Sequence, residues 1–155
     1  MRTIQMLLLF TLCASLAVAQ VPATKSACAI LTPEDAATIL GPDPVQVAAE
    51  DSCVYTHQKE PVSLSIRVSS AGAHGKEVMA TQKQMLSQMG GSTQEEASLG
   101  TGSFSSNFQN TIAIHVLKGE VMAEISISEH SKQPLEDKDV LPKLRTITQK
   151  ALTRL

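Results

Sequence analysis

The chain has 155 residues, 13 Lys and Arg against 15 Asp and Glu, and a formal net charge of −2. There is no basic excess to leave an electrostatic footprint for nucleic acid. With no Trp, one Tyr and three Phe, it also lacks the stacking platforms of sugar-binding and single-strand-binding proteins.

The first twenty residues read as an address. Arg2 supplies a positive start, Met6 to Leu16 an apolar run, and Ala17-Val18-Ala19 a small-x-small cleavage site. Cleavage is expected between Ala19 and Gln20, which separates a signal peptide (1–19) from a single exported domain (20–155). The apolar run is too short against the about 20 residues that cross a bilayer core, and no second run follows, so no transmembrane anchor is expected in the mature chain. Leu12 before Cys13 is not the small residue an acylation site requires. The location implied is secreted or periplasmic. A domain of this length buries a core without a metal staple.

Two cysteines remain after cleavage, Cys28 and Cys53. In an oxidising compartment an even pair in a small exported domain reads as a disulfide. Closing that loop contributes about 3.5 kcal/mol by chain entropy. The pair lacks Cys-x-x-Cys spacing, which argues against redox chemistry.

A short helix is predicted over 33–40. Thr32 caps it, Pro33 takes the first helical position, Glu34 and Asp35 meet the positive dipole end, and Gly41-Pro42 stops it. An edge strand over 45–49 and strands over 52–57 and 62–69 follow. In the last, Val62, Leu64, Ile66 and Val68 alternate with Ser63, Ser65, Arg67 and Ser69. A helix over 75–89 gathers Val78, Met79, Met85, Leu86 and Met89 on one face and ends at Gly90-Gly91. Gly100-Thr101-Gly102 reads as a flexible turn before a strand over 103–108.

A hairpin is predicted with Lys118-Gly119 as its two-residue loop, which pairs Val116 with Val121, Ile114 with Ala123 and Ile112 with Ile125. A final helix opens after Asp139, with Pro142 in its first turn and Val140, Leu144, Ile147, Ala151 and Leu155 as one stripe. Both long helices are one-sided and need a sheet face to cover. The fold class is α+β: an antiparallel sheet with a short N-terminal helix and two longer amphipathic helices, arranged as two strand–strand–helix units.

Chemistry-bearing motifs are sparse, and none signals a cofactor. His57, His74, His115 and His130 show none of the spacings that put metal ligands on one face. His115 stands out in mid-strand, on the face opposite Ile112, Ile114 and Val116. In the predicted register it faces Met122 and lies diagonal to Glu120 and Glu124, and a carboxylate there would orient an imidazole or share a metal. Met79, Met85, Met89 and Met122 read as core filler before they read as a Cu(I) site. Lys143, Arg145, Lys150 and Arg154 give the last helix a basic, solvated flank.

The run Cys28-Ala29-Ile30-Leu31-Thr32-Pro33-Glu34-Asp35, then Gly41, then Cys53-Val54-Tyr55, resembles the Cys-x-Leu-Leu-Thr…Gly…Cys-x-Tyr opening of a broad group of uncharacterised bacterial secreted proteins and lipoproteins. The resemblance covers the first third of the mature chain. It implies paired cysteines, one α+β domain and a cell-envelope location, and it carries no activity. The function that fits best is a non-catalytic extracytoplasmic binding or interaction module, its partner an envelope protein or a small ligand. The alternatives are an enzyme with a dispersed site around His115 and Glu124 or His57, and a periplasmic metal-handling protein. A concave pocket in which His115 and Glu124 converge would favour a site, and a flat face an interaction surface.

Overall fold

A computed structural model describes residues 25–131 and 135–155. The expected signal peptide and its cleavage point at Ala19 and Gln20 lie outside them. The order is helix α1 (Ala27–Ile30), α2 (Pro33–Leu40), strands β1 (Val45–Ala48), β2 (Ser52–Thr56) and β3 (Val62–Ser70), helix α3 (Gly75–Gln88), strands β4 (Ser92–Glu95), β5 (Phe104–Phe108), β6 (Thr111–Lys118) and β7 (Val121–Glu129), and helix α4 (Asp137–Arg154). The seven strands form one antiparallel sheet in the order β1-β2-β3-β7-β6-β5-β4. Among the described residues, no helix is long and apolar enough to cross a membrane.

The mixed helix-and-sheet class and the antiparallel sheet agree with the sequence. The arrangement of units differs. A three-strand meander precedes α3 and a four-strand meander precedes α4, in place of two strand–strand–helix units. The two meanders meet at β3 and β7, and their helices go to opposite faces of the sheet.

One face carries the main core. Tyr55, Leu64, Ile66, Ile112, Ile114, Ile125 and Ile127 pack beneath α1, α2 and the Leu141, Leu144, Ile147 and Ala151 stripe of α4. The disulfide joins Cys28 on α1 to Cys53 on β2. Thr32 and Asp35 form a reciprocal capping box at the start of α2, with Pro33 in the first turn. Buried Asp35 also receives Arg154 from the far end of α4, and Arg154 donates to the Ile30 carbonyl at 2.8 Å. The Tyr55 hydroxyl donates to the Leu31 carbonyl at 2.8 Å, tying α1 to the sheet.

Three local expectations are corrected. The β6–β7 hairpin turns at Gly119-Glu120, with Lys118 opposite Val121, and pairs Val116 with Ala123, Ile114 with Ile125 and Ile112 with Ile127. A slip of two residues keeps every side chain on its predicted face, because the strand period is two. Helix α4 begins at Asp137, so Pro142 sits inside it rather than in the first turn. The flank of α4 is also less solvated than expected. Arg145 makes a two-pronged bond to buried Glu96, its Nε and Nη2 donating to Oε2 and Oε1 at 2.8 Å each, while Lys150 and Arg154 both pair with Asp35.

The opposite face is covered on one side only. Helix α3 lies over β4, β5 and β6. Toward β3, Ser65 Oγ meets Ser126 Oγ at 2.9 Å and Thr111 Oγ1 meets Ser128 Oγ at 2.9 Å, a polar row whose hydroxyls satisfy one another.

Candidate functional site

Between α3 and this second face runs a cleft of about 810 Å³, within the range of pockets that hold small molecules. Its roof is the apolar stripe of α3. The stripe was expected to be covered by the sheet, yet only Met79 is fully buried, while Val78, Met85 and Met89 remain 40%, 55% and 54% exposed. The chain comes close to the sheet at the start of α3 and just past its end. A Cβ on Gly75 would sit 2.7 Å from Leu117 Cδ1, and one on Gly91 would sit 3.2 Å from Phe108 Cβ. Glycine lets the chain touch the sheet at both points, and of the stripe between them Met79 is buried while Val78, Met85 and Met89 are left in part exposed.

The floor comes from alternate residues of three strands. Phe104, Ser106 and Phe108 of β5, Ala113 and His115 of β6, and Met122 and Glu124 of β7 share this face, and all but Phe104 line the cleft. His115 stands directly opposite Glu124, not Met122 as the predicted register had it. Its ring is 3% exposed and stacks on Phe104 with centroids 4.3 Å apart. Nε2 is 3.0 Å from Ser106 Oγ, and Nδ1 is 3.5 Å from Glu124 Oε2.

Burial brings the His115 pKa down to about 4, so the ring is neutral at ordinary pH and its approach to Glu124 is a polar contact rather than a salt bridge. Burial pushes the Glu124 carboxyl upward, opposed by the Arg67 charge and by the Gln82 amide. That amide reaches down from α3 and donates to Oε2 at 3.5 Å.

The sequence picked out His115 and Glu124, and the cleft brings them together. His57 is elsewhere: its Nδ1 accepts the Lys59 and Glu60 amides in the β2–β3 turn. His130 bonds Ser63 at 3.1 Å, and His74 ends a single 3₁₀ turn before α3. Of the four methionines, Met85, Met89 and Met122 line the cleft and Met79 does not. Among the described residues, no group of three His, Cys, Asp or Glu side chains is close enough to hold a metal ion.

Sequence reasoning missed Ser106. Two signals point to it. Phe104, Ser106 and Phe108 alternate on one face, and Gln109-Asn110, both at positive φ, make a two-residue hairpin turn that sets Ser106 opposite Ala113 and Phe104 opposite His115.

No family model, no curated protein and no solved structure matches this chain.

Proposed function

We propose that the protein is an exported, non-catalytic binding domain of the bacterial cell envelope that holds a small amphipathic molecule in the cleft under α3. The observation that carries this reading is the half-exposed stripe of Val78, Met85 and Met89 facing a floor of buried polar groups. An apolar roof that stays accessible gains free energy only when something apolar covers it. Flexible thioethers adapt to ligands of varied outline. The Ser106, His115 and Glu124 cluster then fixes the polar end of the ligand. Export rests on the signal-like start of the chain and fits the Cys28–Cys53 bond.

Titration with the apolar fluorophore N-phenyl-1-naphthylamine tests this. A saturable rise at one site per chain, weakened by Met85→Glu, is expected. A fluorescence change that does not saturate, or that Met85→Glu leaves untouched, overturns the reading.

One observation favours acyl transfer as a second reading. Ser106 Oγ, His115 Nε2 and the Glu124 carboxylate behind Nδ1 follow the serine–histidine–carboxylate order of a nucleophilic triad. It ranks second because Ser106 lies in mid-strand, where its backbone belongs to the ladders with β4 and β6 and so does not form an oxyanion hole. Labelling of Ser106 by a fluorophosphonate, lost in His115→Gln, would reverse the order.

A further inference from the structure

We infer that the molecule held in the cleft carries a protonated amine, its ammonium on Glu124 and its apolar body along Met85, Met89 and Phe108. This rests on the binding reading above and names the class of ligand.

The charges that line the cleft are of one sign. Glu124 stands on the floor and Glu77 on the α3 wall, and no Lys or Arg contributes to the lining. Two lysines of α3 and β6 are engaged outside the cleft. Lys83 pairs with Glu95, and Lys118 donates to the Leu152 carbonyl at 2.6 Å. Arg67, the cross-strand neighbour of Glu124 on β3, acts on it without closing to an ion pair. A carboxylate or phosphate head would therefore meet two carboxylates and a neutral imidazole in the lining, the one neighbouring cation, Arg67, being already opposed to Glu124.

Glu124 is also incompletely satisfied. Oε2 has two long contacts, 3.5 Å from His115 Nδ1 and 3.5 Å from Gln82 Nε2, and among the described residues Oε1 has no hydrogen bond. The carboxylate is 35% exposed, its open side toward the cleft. Such a group, half withdrawn from water and short of donors, gains most from a ligand bringing a cationic N–H. A bare metal ion suits the place poorly, since among the described residues no three His, Cys, Asp or Glu side chains converge there.

Decylamine, decanol and decanoate share an apolar tail and differ in head group, so they separate the two levels of the argument. Each is titrated against the full mature chain carrying bound N-phenyl-1-naphthylamine at neutral pH. Decylamine is expected to displace the probe at concentrations about tenfold or more below decanoate, the size of one charge-assisted hydrogen bond, with decanol between. Glu124→Gln is expected to erase the preference for amine over alcohol. In the unmodified protein, added salt is expected to weaken decylamine and not decanol. Decanoate binding as tightly as decylamine, or an amine preference insensitive to both salt and Glu124→Gln, overturns this inference and leaves the binding reading in place. Failure of all three compounds to displace the probe overturns both.

Discussion

His115 and Glu124 face each other across β6 and β7, Nδ1 3.5 Å from Oε2, and burial holds the ring neutral instead of letting the carboxylate charge it. The pair lies on the floor of the cleft. Its protonation state sets both the charge the cleft presents and part of the pH dependence of the fold.

Folding should lose stability as pH falls through the window between 6.5 and about 4, the unfolded and folded pKa values of His115. The unfolded chain binds a proton there and the folded one resists it, so the contribution is whole above the upper value and fades below it. Between pH 7 and pH 5 this one group accounts for about 2 kcal/mol. Glu124, pushed upward, works in the opposite direction and trims the slope. Asp35 and Glu96, held low by Arg154 and Arg145, lose their contributions only at more acid pH. Urea unfolding at the two pH values should show the loss in the unmodified protein and a nearly flat response in His115→Gln.

Two methionines on one helix should behave oppositely. Met79 is 2% exposed, and Met79→Ala should cost about 2–4 kcal/mol through the cavity it leaves. Met85 is half exposed, and Met85→Gln should change stability by less than about 0.5 kcal/mol yet weaken N-phenyl-1-naphthylamine binding severalfold. Thermal melts and probe titrations on the two variants check this together.

The Glu96–Arg145 pair ties the approach to β5 onto α4. Arg145→Met strands a buried carboxylate and should destabilise by about 2–3 kcal/mol, below the value for a fully buried pair because the guanidinium is partly solvated. Replacing both residues with leucine should recover most of that loss, as a double-mutant cycle in urea would show. A double variant no more stable than Arg145→Met removes the pairing as the cause.

Removing the cystine by Cys28→Ser with Cys53→Ser should cost about 3 kcal/mol, chiefly by freeing the unfolded chain. Chemical unfolding of the oxidised protein against the double variant measures it. Equal stability would mean that packing of α1 on β2 and β3 holds this corner unaided.

Much of the fold was legible because its signals are local. The Ser/Val alternation of β3 and the Thr32-Pro33-Glu34-Asp35 start of α2 each lie within one turn or one strand. Register was harder to read. A hairpin turning at Lys118-Gly119 and one turning at Gly119-Glu120 present identical faces, and only the three-dimensional pairing moves Glu124 from diagonal to opposite His115. Ser106 and the Glu96–Arg145 pair were out of reach for a different reason. Their partners lie nine and 49 residues away in sequence, and no periodicity within one element reports on another. The α3 stripe shows the limit of pattern reading, since an apolar face signals burial and is silent about whether protein or ligand supplies it.

The bare glycines at 75 and 91 act as the two low piers of a bridge whose deck is α3. A Cβ at 75 would press mainly on the Leu117 side chain, whereas one at 91 would press on the backbone oxygens of Leu86 and Asn107, so the second pier yields less than the first. Under the proposed binding role, clearance and head-group recognition would then be set at separate positions, the piers for one and the floor for the other.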